Sequence, residues 1–336
     1  MKHILFGGDG FVGRQLAKRL LDEGEEVVVA DITDGNRAIY AQADFITCDV
    51  TDPQAIAQVP MAADDMIYNL SAKMLSPIQV RAKRHDFFYP VNYDGTKNII
   101  EAMDRAGAGK LVHYTTDMVY GHTVTFPMTE DHPVAPLGEY GQSKLDTEFL
   151  AAEWRKRGMD ITLFRPRLII GPGRLGILTK LFKLIDLNLP VPMIGSGKNP
   201  YQFISVFDCA DAAYLAWKAG VPNEAYNLGS LNPPPVKKLL GDLIKHANSR
   251  SLLLPTWGFA VKRTLDLLDA VNLPLMDPEQ YLIADEMCVL DVSKGERELG
   301  WVPAYRDEDM LIAAYDEYHS PKEAESRVKH GTAETA

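Results

Sequence analysis

His3-Ile4-Leu5-Phe6-Gly7-Gly8-Asp9-Gly10-Phe11-Val12-Gly13 is the stretch that decides the fold. His3 to Phe6 reads as a short buried strand, and Phe11 to Leu21 carries Val12, Leu16 and Leu20 at helical spacing. Between them Gly7, Gly10 and Gly13 form G-x-x-G-x-x-G. The first glycine allows a tight turn, the second lets backbone approach a pyrophosphate, and the third permits close helix–strand packing. The helix N-terminus, including Phe11 and Val12, then offers unpaired amides and a partial positive charge to phosphate. A glycine-rich turn alone can be only a turn. Here it joins a strand to a helix, which is the context a dinucleotide site requires.

Working outward, short β-rich runs alternate with helical patterns. Val27 to Ala30, Phe45 to Cys48, Met66 to Leu70, Leu111 to Tyr114 and Ile161 to Phe164 read as further strands, and Asn92 to Ala106 as a helix. Such alternation implies right-handed βαβ units and a doubly wound parallel sheet with helices on both faces. After Gly171-Pro172-Gly173 the pattern loosens. A helix is expected over Leu175 to Leu187, a strand over Tyr201 to Val206, a helix over Asp208 to Ala219 and a short strand at Tyr226 to Leu228. Leu252 to Leu290 shows little periodicity. We expect a nucleotide-binding domain over residues 1–170 that also receives segments within 199–230, a smaller substrate lobe over 171–318, and a flexible polar tail over 319–336.

Asp31 ends the second strand about twenty residues after the glycines. A carboxylate there accepts from the ribose 2′-OH of NAD and repels the 2′-phosphate of NADP. No arginine follows at once; Arg37 lies beyond a Gly35-Asn36 turn, so the expected cofactor is NAD. Asp49-Val50 follows the third strand, where an acid can accept from the adenine amino group or serve as a turn residue before Thr51-Asp52-Pro53.

Composition bounds the rest. The 336 residues are 46% hydrophobic and 24% charged, an ordinary globular balance. The net charge of -11, with no basic run, argues against nucleic-acid binding. Cys48, Cys209 and Cys288 show neither metal spacing nor a disulfide framework, which fits a reducing cytoplasm; no metal is expected. No apolar run approaches the ~20 residues of a membrane span, and the apolar run at the N-terminus is too short for a signal peptide.

Tyr140-Gly141-Gln142-Ser143-Lys144 carries the chemistry. A tyrosine and a lysine four apart share one helix face. A nearby ammonium favours phenolate over phenol and lowers the tyrosine pKa from its usual ~10, making a proton-transfer group usable near neutrality.

Together these pieces resemble the extended short-chain dehydrogenases/reductases, the NAD-dependent epimerase/dehydratase group with a Rossmann core. The resemblance runs from Gly7 to about Pro303. It is carried by the glycine turn, Asp31, Asp49-Val50, Asn69-Leu70-Ser71-Ala72 and Asn92-Tyr93-Asp94-Gly95-Thr96. Thr115-Thr116-Asp117-Met118-Val119-Tyr120-Gly121, the Tyr140/Lys144 pair, Arg165-Pro166, Tyr226-Asn227-Leu228-Gly229 and Asp291-Val292-Ser293-Lys294 continue it. The resemblance implies that Tyr140 is the acid/base, that Lys144 binds the nicotinamide ribose, and that Thr116 hydrogen-bonds the reacting oxygen. It implies cofactor contacts at Leu70, Ser71, Ala72, Asn92 and Pro166, with Asn92 also a candidate helix N-cap. It further implies a homodimer built on the helices after Asn92 and Tyr140.

The departures narrow the reaction. Phe6 stands where the family has Thr or Ser, a change of packing. Met118 stands where sugar-nucleotide 4,6-dehydratases carry a glutamate base, which disfavours dehydration. Tyr201-Gln202 and Asp285-Glu286-Met287 replace arginines that clamp a diphosphate in nucleotide-sugar epimerases. Candidate substrate contacts are Lys73, Asp117, Met118, Arg167, Arg174 and Gln202, with Arg81, Lys83 and Arg84 as further cations. The expected activity is NAD-dependent oxidation or epimerisation of a secondary alcohol, foremost of a nucleotide sugar through a transient ketone. The alternatives are a dehydrogenase or reductase of the 3β-hydroxysteroid or dihydroflavonol type, and a nonenzymatic NAD-sensing or scaffold protein.

Overall fold

The computed structural model of the protein describes residues 1–173, 176 and 178–331. In chain order the strands are β1 (His3–Phe6), β2 (Val27–Asp31), β3 (Asp44–Thr47), β4 (Met66–Asn69), β5 (Lys110–Tyr114), β6 (Asp160–Pro166), β7 (Leu168–Ile170), β8 (Val191–Met193), β9 (Phe203–Ser205), β10 (Ala225–Leu228) and β11 (Leu253–Pro255). The helices are α1 (Phe11–Asp22), α2 (Pro53–Ile56), α3 (Arg84–Tyr89), α4 (Gly95–Ala106), α5 (Glu139–Lys156), α6 (Leu178–Asp186), α7 (Val206–Lys218), α8 (Val236–His246), α9 (Gly258–Ala270), α10 (Pro278–Tyr281), α11 (Ser293–Leu299) and α12 (Asp307–Gly331).

Seven strands form one parallel sheet in the order β10-β6-β5-β4-β1-β2-β3. Register puts Leu5 between Val29 and Tyr68, and Ile4 between Val28 and Ile67. Because successive residues face opposite ways, Leu5, Val29, Tyr68, Val112 and Phe164 fill one face and Ile4, Val28, Ile67, Leu111 and Ile161 the other. Helices cover both faces, which is why these strands read as continuous apolar runs. On the first face, α1 meets α7 through Leu16, Ala17 and Leu20 against Ala210, Ala213 and Ala216, small residues that let the helices pack closely. On the second, α4 contributes Ile99, Ile100 and Met103, and α5 contributes Leu150, Ala151 and Trp154. Strand order reverses between β1 and β4, and a crevice opens there at the strands' carboxyl ends.

A further hydrophobic cluster joins Ile170, Phe182, Val191, Phe203, Leu239, Leu243 and Leu311 from β7, α6, β8, β9, α8 and α12. Here β7 pairs with β9 and β8 with β11. The strand expected over Tyr201 to Val206 is therefore outside the main sheet, whereas α7 and β10 return the chain to it beside β6.

The helix expected from Asn92 begins earlier. It starts at Arg84, passes through a single π-helical stretch at Pro90–Asp94 and continues as α4. The wide turn absorbs Pro90, which has no amide to donate. Asn92 thus lies within a helical run and does not cap one. At the other end α12 continues to Gly331, through most of the segment expected as a tail. No helix among the described residues is long and apolar enough to cross a membrane.

Candidate active site

A cleft of about 820 Å³ lies at the carboxyl ends of the sheet. Gly7, Gly10, Phe11, Val12 and Gly13 form one wall. Gly7 has φ +75°, and a Cβ there would come 2.6 Å from the Ser71 nitrogen. A Cβ at Gly13 would come 2.4 Å from the Gly7 carbonyl oxygen, so only glycine allows this turn and helix to pack. Gly10 is the N-cap of α1, with no side-chain capping bond and no acid in the first turn. The helix therefore presents uncapped amides to the cleft, an arrangement that fits a dinucleotide pyrophosphate.

Asp31 and Asp49-Val50 line the same side. The Asp31 carboxylate accepts the Asp9 amide at 2.9 Å and the Ile32 amide at 2.7 Å. Burial raises its pKa, with those amides opposing. Asp9, which the sequence did not single out, locks this corner. It accepts from the Tyr40 hydroxyl at 2.6 Å, the Asn36 amide at 2.9 Å and the Thr33 hydroxyl at 3.0 Å. Burial works against its charge, but these donors outweigh it and hold the carboxyl below its ordinary pKa. Arg37 donates to the Ala43 carbonyl at 2.7 Å and lies over the Tyr40 and Phe45 rings. It is not part of the cleft wall, so it is not placed to meet a 2′-phosphate. Asp49 accepts from the Thr51 amide and hydroxyl at 2.9 and 2.8 Å; its turn role coexists with its place on the cleft.

Thr116, Tyr140 and Lys144 line the same cleft. Thr116 follows β5, accepts from the Met118 amide at 3.2 Å and donates to Asp117 at 3.3 Å. Tyr140 packs against Phe88 and donates its hydroxyl to the Met74 thioether at 3.4 Å. The Lys144 ammonium, 2% exposed, donates to the Tyr114 carbonyl at 2.9 Å. Burial pulls its pKa down to about 7.

The start of α5 is held from far along the chain. Its N-cap, Gly138, makes no side-chain bond. Instead the Glu279 carboxylate accepts the Tyr140 amide at 2.9 Å and the Gly141 amide at 2.9 and 3.2 Å. A Cβ at Gly138 would lie 2.5 Å from a Glu279 oxygen, so a glycine at the cap position makes room for the distant carboxylate. Burial and the neighbouring Asp277 push the Glu279 pKa up to about 8, with the two amides opposing. Arg84 pairs with Asp269 and Asp277 nearby, tying α3 and α9 to the N-cap residue of α10. Glu279 stands 138 residues from Gly141, in a stretch without periodicity, and no local signal marks it.

Other expected residues divide. Leu70, Ser71, Ala72 and Pro166 line the cleft, as do Lys73, Asp117, Met118 and Arg167. Asn92 does not. Its amide donates to Ser143 at 3.0 Å and to the Lys73 carbonyl at 3.2 Å, and its oxygen accepts the Lys73 amide at 2.8 Å, so it braces the wall from behind and is not a cofactor contact. Gln202 is likewise set back. It bonds the Ser230 and Leu290 backbone at 2.8 Å each, joining segments of the chain instead of facing substrate. Arg174 lies outside the described residues. Asp117 and Arg167 form a buried ion pair. Burial opposes the guanidinium charge, but Asp117 more than offsets this and holds the Arg167 pKa above its ordinary value. The sequence also missed the apolar wall of Met74, Leu75, Ile78, Leu275, Met276 and Ile283. Among the described residues no group of three or more His, Cys, Asp or Glu side chains could hold a metal ion.

A Rossmann-type sheet with an uncapped helix at its switch point, a carboxylate after the second strand and a Tyr/Lys/Thr group on the same cleft defines a nicotinamide-dependent oxidoreductase class. Residues 4–229 match the model of the NAD dependent epimerase/dehydratase family. The chain belongs to that family; it is an enzyme of the extended short-chain type and its cofactor is NAD. It is 30% identical to a protein of Sinorhizobium fredii described as uncharacterized protein y4nG, over 94% of this chain and 78% of that one. It is 26% identical to a UDP-glucose 4-epimerase of Lactobacillus helveticus, over 95% and 97% of the two chains. In fold it is similar to the UDP-glucose 4-epimerase of Thermotoga maritima solved with UDP-glucose, with a TM-score of 0.76, 20% identity, and 96% and 99% of the chains covered.

Proposed function

We propose that the protein epimerises a secondary alcohol of a sugar, foremost a nucleotide sugar, through a transient ketone. The observation that carries this reading is the convergence of Thr116, Tyr140 and Lys144 on the cleft that also holds the glycine turn and Asp31. The uncapped amides of α1 bind the pyrophosphate and Asp31 accepts from the adenosine ribose. Bound NAD supplies a reversible hydride acceptor at one carbon. Tyr140 takes the hydroxyl proton as the ketone forms and returns it afterwards. Thr116 turns its hydroxyl from Asp117 toward the substrate oxygen and stabilises the charge that develops there. Lys144 keeps one N–H on the Tyr114 carbonyl, which aims its other protons at the nicotinamide ribose and Tyr140. Met118 moves no proton, so elimination of water has no base at that position.

The test is incubation with UDP-glucose, following the C4 epimer by NMR and NADH by absorbance. Interconversion without net NADH is expected, and full turnover by Tyr140→Phe would sink the assignment. The apolar wall favours a second reading, a dehydrogenase or reductase of a less polar alcohol or ketone, which predicts stoichiometric change in NADH. We also propose a cytoplasmic homodimer through α4 and α5. The exposed Phe149 on α5 and the three free cysteines support it, and light scattering tests the oligomeric state.

A further inference from the structure

One arm of the cleft is given to NAD by Gly10, Asp31 and Val50; the other is walled by Met74, Leu75, Ile78, Leu275, Met276 and Ile283. Several charged side chains near that wall are engaged elsewhere, Lys180, exposed at the cleft, being an exception. Asp117 and Arg167 pair with each other. The Lys73 ammonium stands over the Phe87 ring at 5.7 Å. Glu286 accepts from His122 at 2.6 Å and the Thr123 amide at 3.1 Å. Such a wall suits an apolar group, whose removal from water is favourable.

The apolar wall does not stop at the rim. Leu275 lines the cleft and is 60% exposed. Back along the chain from it, Leu273 (63% exposed), Val271 (55%) and Leu267 (66%) make an apolar track in sequence, the last two one helical turn apart at the end of α9. None of these four belongs to a hydrophobic cluster of the described residues. The helix is held instead by its polar side. Asp269 pairs with Arg84, Asp266 accepts from the Tyr281 hydroxyl at 2.8 Å, and Lys262 pairs with Asp285. The apolar side is thus left exposed, and exposed apolar side chains grouped along a short stretch of chain suit a binding surface. Because Leu275 belongs to both wall and track, a protein seated on the track would cover the cleft mouth. A substrate chain leaving the cleft would not.

We propose that the substrate is an amphiphile, with a hydroxyl-bearing polar head at Thr116 and Tyr140 and an alkyl or isoprenoid chain that passes Leu275 and lies along Leu273, Val271 and Leu267. This rests on the second reading proposed above, hydride transfer on a less polar alcohol or ketone, and names its substrate class. The probes are octyl, decyl and dodecyl β-D-glucosides below their micelle-forming concentrations, titrated calorimetrically into the NAD-loaded protein. Affinity should rise about two- to threefold per added methylene, somewhat less than full burial would give. Leu273→Asp and Leu275→Asp should abolish that dependence while NAD binding is kept, which controls for folding. Equal affinity for octyl and dodecyl glucoside, or the same slope in both variants, overturns the proposal. So does binding to phosphatidylcholine vesicles without binding of monomeric glucoside, which would make the track a membrane contact. A preserved chain-length slope in a protein that transfers no hydride would overturn the reaction assigned to the site and uphold the chain track.

Discussion

The Glu279 carboxylate accepts the backbone N–H of Tyr140 at 2.9 Å, so the first turn of the helix that carries the proposed acid/base is capped by a residue from the far end of the chain. The first amides of a helix have no internal partner, and Gly138 supplies no side chain to satisfy them. Glu279→Ala removes the carboxylate that accepts the buried Tyr140 and Gly141 amides, at a cost of about 1–3 kcal/mol. The expected result is a fall in kcat of roughly tenfold, the scale of 1.4 kcal/mol in a barrier, with NAD affinity unchanged because the glycine wall is untouched. Glu279→Gln keeps one acceptor and should recover most of the loss. Equal kcat in the alanine variant, measured at saturating substrate, would show that the cap does not position Tyr140.

Lys144 gives a pH test. Burial lowers its pKa from 10.5 to about 7, so between these values the folded protein has released a proton that the unfolded chain retains. The unfolded state then binds more protons, and the Lys144 contribution to stability rises with pH across that window. In Lys144→Met this rise should vanish. The variant should be as stable as the parent or more so at pH 7, since a buried, poorly solvated amine is replaced by an apolar side chain of similar length. Activity should fall at least a hundredfold, on the scale of lost general acid–base assistance. Thermal unfolding of both proteins at pH 7 and 9 is the measurement; parallel curves would refute the depressed pKa.

Cofactor choice rests on Asp31. Asp31→Asn removes the charge that repels a 2′-phosphate and weakens acceptance from the ribose, and its single amide oxygen can keep the Asp9 or the Ile32 amide but not both, since these bond different carboxylate oxygens. NAD affinity should drop about tenfold, the worth of one charge-assisted bond, with NADP affinity unchanged or improved. Arg37 is committed to Ala43 and should contribute nothing to NADP binding even then. Calorimetric titration of both cofactors decides it.

What the sequence showed follows from how local each signal is. The glycine turn, Asp31 and the Tyr140/Lys144 pair are set by neighbours a few residues away, and the parallel sheet follows from alternating periods. The return of β10 to the sheet was also legible, because Tyr226-Asn227-Leu228 reads as a strand by itself. The cap by Glu279, the Asp117–Arg167 pair and the apolar wall with Leu275 join residues 50 or more apart, and composition does not encode such meetings. Asn92 is an intermediate case. Its motif was recognised as that of an asparagine on the helix behind the site, but the partners that fix it there, Lys73 and Ser143, were not legible.

Glycine-to-alanine substitutions in two helices should have opposite signs. In α8, a Cβ at Gly241 meets nothing within 4 Å, so Gly241→Ala only removes unfolded-state freedom and should stabilise by about 0.5–1 kcal/mol. In α5, a Cβ at Gly141 would come 2.7 Å from the Met118 carbonyl oxygen and 2.8 Å from a Glu279 oxygen. Neither neighbour can yield cheaply: the carbonyl belongs to the loop that carries Thr116, and the carboxylate is fixed by the amides it caps. Gly141→Ala must therefore push α5 away from that loop, costing about 1–3 kcal/mol as overpacking does. The displacement would also separate Tyr140 from Thr116, so kcat should fall more than stability alone explains. Removing the obstructing carboxylate with Glu279→Ala in the same chain relieves only one of the two clashes. The double variant should then be less destabilised than the sum of the singles, a coupling that thermal or denaturant unfolding of the four proteins measures. Strict additivity would mean that the Gly141 and Glu279 contacts do not constrain the catalytic helix together.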